Sequence, residues 1–201
     1  MRLRVLQPTL QLILLAAVVG ACAAPQDRSG QAAPAAPAAT ATTTAAAPKN
    51  PPAGALPPGM LAAERRRPAP PLRVTAFDGR GVDLERSRGR PVVVSFFESW
   101  CPICEVEQPD LSRVAAEHAG RVDFVGVSYH DTVAAGRAYQ RRFDVPYPLA
   151  NDASGRTWAA WRVPYQPVVV LVDKQGRIAE RFDGGTTGGT LRAHLAYLVD
   201  E

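Results

Sequence analysis

Aromatic side chains are scarce in this chain of 201 residues, at 7%, and none of its three Trp or six Phe occurs before residue 72. Large apolar residues are as scarce there, since Ala23 to Pro71 holds only Leu56, Met60 and Leu61. Three such residues cannot build a core, so that stretch is not expected to form a domain. Twelve of the 19 prolines fall at or before Pro71. A long hydrophobic run is also missing. Leu10 to Val19, broken only by Gln11, is shorter than the ~20 residues that cross a bilayer. The C-terminal part lacks an excess of positive charge. From Leu72 to Glu201 sixteen Arg or Lys face seventeen Asp or Glu, although the whole chain carries +4. The basic excess belongs to the N-terminal part, densest at Arg65, Arg66 and Arg67, and nucleic-acid binding is set aside.

What stands at the N-terminus reads as an address. Arg2 and Arg4 form a positive segment, Leu10 to Val19 an apolar one, and Val19-Gly20-Ala21-Cys22 brings small residues up to a cysteine. No twin-Arg pair is present, which favours the general secretory route. The Val-Gly-Ala-Cys run resembles a bacterial lipobox, implying a signal peptide over residues 1–21 and a lipid on Cys22. An ordinary signal peptide cut elsewhere is the competing reading. Three cysteines leave an odd one in an exported chain, and acylation of Cys22 removes it. Residues 22–71, rich in Ala, Pro and Thr, are expected to be a disordered tether, partly in polyproline II. Such a tether reaches ~40 Å when flexible and ~150 Å when stiff.

The foldable part is therefore expected over residues 72–201. Strand signals at Leu72 to Phe77 and Val82 to Leu84 flank a turn at Asp78-Gly79-Arg80-Gly81. Pro91 to Phe97 is β-branched and aromatic, as in a strand buried on both faces. Helical spacing follows over Pro102 to His118, a second buried strand over Val122 to Ser128, and helices over Ala134 to Phe143 and Ser154 to Trp161. Val168 to Val172 and Ile178 to Phe182 form a hairpin around Lys174-Gln175-Gly176, and Thr190 to Val199 is a last helix. A parallel β-α-β start, then a hairpin and a helix, makes an α/β sandwich on a mixed sheet.

The chemistry concentrates at Trp100-Cys101-Pro102-Ile103-Cys104, which follows a buried strand and opens a helix. Proline is suited to the first helical position, where its missing N–H costs nothing. Residues at i and i+3 share one side of the first turn, within disulfide reach. A helix N-terminus favours a thiolate, which points to Cys101, at the exposed start of the helix, as the attacking sulfur. Cys104, one turn in and more covered, is suited to resolve a mixed disulfide. Structural zinc would need two further ligands, and no second Cys pair exists. Haem attachment would need His where Glu105 stands. A structural disulfide across a two-residue loop would constrain the unfolded chain very little.

The run Pro91 to Leu111, with Ser99-Trp100-Cys101-Pro102-Ile103-Cys104 and Glu107-Gln108-Pro109, resembles the TlpA/DsbE-like thiol–disulfide oxidoreductases of the bacterial envelope. Downstream, Trp158 to Pro167 followed by Val168 to Asp173 is similar to the segment that holds this family's cis-proline, and the stretch from Asn151-Asp152 through Gln166-Pro167 is especially like secreted DsbE-like proteins of high-GC Gram-positive bacteria. The likeness spans about residues 70–200. It implies a thioredoxin-like fold, with a central mixed sheet flanked by helices, an added N-terminal strand pair and a helical insertion. It also implies exchange of disulfides with exported protein thiols, a membrane redox partner, and no metal or organic cofactor. Pro167 is the expected cis-proline, with Gln166 placed to pair with substrate and Trp100 to pack on it. Pro164 is expected to be a loop residue, and Pro109 and Glu107 match the family's helix proline and a common acidic position.

This chain also departs from the family's pattern. Ser95 stands where thioredoxins place a buried Asp, six residues before the first cysteine. Glu98 and Glu105 flank the motif and are expected to be surface carboxylates. His130 is expected to be a surface or satisfied histidine, and His118 and His194 carry no signal. A second class of function is a copper-binding chaperone using Cys101, Cys104 and His130. A peroxidase pattern would need Pro and Thr or Ser where Val94 and Glu98 stand. Pro102-Ile103 has neither the His of strong oxidants nor the Gly-Pro of typical reductants, so both directions of exchange stay open. The anchors are about −270 mV for thioredoxin and −120 mV for DsbA.

Overall fold

The computed structural model describes residues 55–201. The expected signal peptide, Cys22 and residues 22–54 of the expected tether lie outside them. In chain order the elements are β1 (Arg67–Pro68), β2 (Arg73–Ala76), β3 (Gly81–Asp83), β4 (Val92–Phe96), α1 (Pro102–Glu117), β5 (Asp123–Ser128), α2 (Val133–Arg142), β6 (Leu149–Asn151), α3 (Arg156–Ala160), β7 (Val168–Val172), β8 (Arg177–Asp183) and α4 (Gly188–Asp200). The strands form one sheet in the order β1-β8-β7-β4-β5-β6-β2-β3. β4, β5 and β6 are parallel, while β7 runs antiparallel to β4 and β8 to β7.

β4 is central because all five of its side chains are buried. Val93 lies opposite Phe124 on β5 and Leu171 on β7. The two-residue period of a strand divides its side chains between two cores. Val93 faces a core with Leu111 and Val114 of α1, Tyr139 of α2 and Leu191, Leu195 and Leu198 of α4. Val92, Val94 and Phe96 face a second core with Trp158 and Trp161, the α3 side of the sheet. Each large side chain so buried contributes roughly 1.5–3 kcal/mol. Side-chain caps start the helices. Thr132 Oγ1 accepts the Ala135 N–H at 3.1 Å, and Thr187 Oγ1 the Thr190 N–H at 3.2 Å.

The expected mixed α/β sandwich is present, with the N-terminal strand pair β2–β3 and an insertion running through α2, β6 and α3. The expected start at Leu72 does not hold. Met60 is buried, the Leu61 N–H bonds Ala179 O at 2.8 Å, and β1 pairs with β8. Arg66 is buried too, with Nη1 3.2 Å from Asp173 Oδ2 and 2.6 Å from Glu201 Oε2. Too few apolar residues to fold alone is no bar to docking on a core built by others, so the folded unit takes in part of the expected tether.

Candidate active site

The sheet delivers its central strand to a tight loop, Phe97 to Trp100, and α1 begins at once. Cys101 is the N-cap of α1, with φ −83° and ψ 114°, and Pro102 occupies the first turn. The Cys104 N–H donates to Cys101 Sγ at 3.3 Å, and the Cys101 N–H donates to Glu98 O at 3.1 Å. Both cysteines are thiols. The expected contrast between an exposed Cys101 and a covered Cys104 is slight, since Cys101 is 5% exposed and Cys104 3%. Burial of Cys101 follows from its packing into the core shared by α1 and α4. Burial pushes the Cys104 thiol well above its ordinary range, as do its neighbour Cys101 and the charge of Glu107. The Tyr139 hydroxyl donates to Cys104 O at 3.0 Å and fastens α2 to this turn.

Two apolar side chains next to the cysteines in the chain are exposed, Trp100 at 61% and Ile103, and so are Val106 further along α1 and Tyr165 next to Gln166. The Gln166–Pro167 peptide bond is cis. Pro167 is buried and directly precedes Val168, which lies opposite Phe96 at the end of β4. The fold thus brings the Pro167 turn to the same end of the sheet as the cysteines. Pro164 is an exposed loop residue.

The two acidic residues that flank the motif differ. Glu105 is the surface carboxylate expected, ion-paired with Arg142 at 2.6 Å. Glu98 is not a surface carboxylate. It is 0% exposed, because it continues the burial of β4, and that burial raises its carboxyl above the usual range. Its Oε1 accepts the N–H groups of Tyr129 at 3.0 Å and His130 at 2.9 Å. Asp131 answers from the facing loop, accepting the Ser99 N–H at 2.9 Å and the Ser99 hydroxyl at 2.6 Å. Ser95 is buried at the position where a carboxylate is usual.

Glu107 is buried one turn beyond Cys104, and its Oε1 accepts the Thr186 N–H at 2.6 Å. Burial pushes its carboxyl up to about 7. The i, i+3, i+7 series Cys104, Glu107, Leu111 places it on the buried face of α1, a signal that the sequence carried. Glu98 was signalled more weakly, by an acid continuing an apolar strand.

His130 faces Glu98, with Nδ1 3.3 Å from Oε1, rather than joining the two cysteines. Among the described residues no group of three or more His, Cys, Asp or Glu is disposed to hold a metal ion. His118 Nδ1 lies 3.0 Å from Val114 O and His194 Nδ1 2.8 Å from Thr190 O, both bonds to the histidine's own helix.

Comparison with known proteins agrees with this geometry. A model of the AhpC/TSA family matches residues 66–181. The soluble secreted antigen MPT53 of Mycobacterium tuberculosis is 35% identical over 119 residues, which is 59% of this chain and 66% of that protein. The chain thus spans just under two thirds of the length of this relative. The thiol-disulfide oxidoreductase ResA of Bacillus cereus is 26% identical over 128 residues, covering 63% of this chain and 74% of ResA. A solved secreted M. tuberculosis disulfide oxidoreductase, described as homologous to E. coli DsbE, superposes with a TM-score of 0.58 at 30% identity. It covers 63% of this chain and 96% of its own. The fold is thioredoxin-like.

Proposed function

The chain belongs to the AhpC/TSA family, and from that premise we propose that it is a thiol–disulfide oxidoreductase acting on exported proteins through Cys101 and Cys104. The observation that carries this reading is the placement of both thiols at the start of α1, at the same end of the sheet as the cis Pro167 turn. The relatives' names, a secreted antigen and a secreted disulfide oxidoreductase, support an extracytoplasmic setting.

In the reducing direction the Cys101 thiolate attacks one sulfur of a substrate disulfide. The substrate S–S bond breaks, a Cys101–substrate disulfide forms, and the displaced substrate thiolate takes up a proton. Cys104 must then lose its proton, which burial makes costly. Glu107, held near neutrality and felt electrostatically by Cys104, is the acceptor available. The Cys104 thiolate attacks Cys101 Sγ, releasing the second substrate thiolate. Two electrons have passed to the substrate, and the Cys101–Cys104 disulfide remains. The same steps reversed oxidise a substrate dithiol. Gln166 offers backbone pairing to an extended substrate segment, and Trp100 an apolar platform.

A lipid on Cys22 would hold the domain at the outer face of the cell membrane, within reach of a membrane redox partner. Among the described residues no helix is long and apolar enough to cross a membrane. An intact-mass spectrum of the membrane-extracted protein tests the anchor, and a free Cys22 thiol would refute it. Equilibration with glutathione, together with reduction of a protein disulfide, tests the enzyme reading. Wild-type protein should exchange, while Cys101→Ser and Cys104→Ser should not turn over.

A further inference from the structure

Glu98 is a fully buried acid in the turn that leads into the cysteine pair. Its carbonyl accepts the Cys101 N–H at 3.1 Å, and the Cys104 N–H in turn donates to Cys101 Sγ at 3.3 Å. Its side chain runs the other way, to the loop between β5 and α2, where Oε1 takes the N–H groups of Tyr129 and His130. The His130 ring lies against Tyr129, with centroids 4.0 Å apart, and its side chain is 61% exposed. Its Nδ1 is 3.3 Å from that same Oε1, whereas Oε2 is buried without a partner.

Fastening two loops does not by itself call for a charge. The amide oxygen of glutamine would accept the same two N–H bonds without the cost of burying an anion. What the carboxylate adds is a charge-dependent link to a solvent-facing imidazole. Asp131 opposes the negative charge on Glu98 and His130 favours it, both from the β5–α2 loop. From α1, the Cys101 N–H meets the Glu98 carbonyl.

We propose that Glu98 is a positioning residue of the cysteine pair, whose carboxylate, paired with His130, holds the 98–101 turn that fixes the Cys101 backbone and makes the reactivity of the pair depend on the protonation of Glu98 and His130. Cys101 and Cys104 are thereby linked to solvent pH through a route separate from Glu107. The inference rests on the disulfide-exchange reading for its consequence, but its geometry stands apart from it.

The test compares wild type with Glu98→Gln, His130→Gln and the double variant in the full chain. Three quantities are measured from about pH 5 to about pH 9: the rate of Cys101 alkylation by iodoacetamide, the equilibrium constant with glutathione, and Tm. Both single variants should melt with wild type yet shift the glutathione equilibrium by about threefold or more, roughly 14 mV. Both should lose the same step in the alkylation profile, with the double variant adding nothing. Profiles that superimpose on wild type would overturn the inference, as would a fall in Tm with unchanged profiles. Should Glu98→Gln fail to fold, His130→Gln decides alone, since its ring is exposed. Wild-type protein that fails to exchange with glutathione would instead refute the enzyme reading, and the alkylation profile would still judge this one.

Discussion

Glu107 Oε1 accepts the Thr186 N–H at 2.6 Å, so a buried carboxylate one turn beyond Cys104 is fastened to the loop between β8 and α4. Burial raises this carboxyl from 4.5 to about 7. A raised folded-state value means that the folded protein favours the protonated form. The associated stability is complete below about pH 4.5 and is lost as pH rises through about 7. Glu107→Gln should therefore match wild type near pH 4 but be the more stable protein at pH 8, by up to about 3 kcal/mol. Denaturant melts at the two pH values check this. A wild type that gains stability relative to the variant between them would contradict it.

The same substitution should slow turnover. With no acceptor for the Cys104 proton, kcat should fall on the order of 10²-fold, and its inflection near pH 7 should vanish. Cys101 alkylation, which needs no proton transfer from Cys104, should stay close to wild type. Stopped-flow turnover across pH, beside the alkylation rate, separates the two effects.

Trp100 is exposed and lies beside the reactive cysteine. Trp100→Ala should leave stability within about 0.5 kcal/mol. KM for a protein disulfide should rise about tenfold, as loss of an aromatic contact at an interface predicts, while exchange with glutathione changes little. An equal loss for both substrates would place Trp100 in the chemistry rather than in docking.

The strap ahead of β2 bears on stability. A chain beginning at Leu72 loses the burial of Met60 and the Arg66 contacts to Asp173 and Glu201, although Arg177 still pairs with Asp173 at 2.8 Å. It should be less stable than a chain beginning at residue 55 by about 3 kcal/mol. Equal midpoints in urea would show that the strap contributes nothing.

Much of this architecture could be read from residue patterns. Val168 to Val172 is a continuous apolar run and Val92 to Phe96 one broken only by Ser95, and such runs keep their strand character wherever they pair. α1 was equally legible, because a strand end, a cysteine and a proline in succession leave little choice but a helix start. β1 and β6 were not. A strand of two or three residues has no period to read, and Leu149–Asn151 owes its pairing to β5 and β2 rather than to its own sequence. At the site, spacing located Cys101 and Cys104, while burial separated the acids that matter. Glu98 and Glu105 look alike in sequence, yet one is enclosed against the Tyr129–His130 backbone and the other pairs with Arg142 at the surface. Sequence distance hides that difference, since Glu98 and His130 meet across 32 positions.

The central claim is that Cys101 attacks and Cys104 resolves, and trapping of mixed disulfides tests it most directly. In cells, Cys104→Ser should accumulate reducible high-mass adducts with several exported proteins, attached through Cys101 when mapped by mass spectrometry. Cys101→Ser should trap few. Adducts on Cys101→Ser but none on Cys104→Ser would reverse the roles, and no adducts on either, with purified protein inert toward disulfides, would contradict the account.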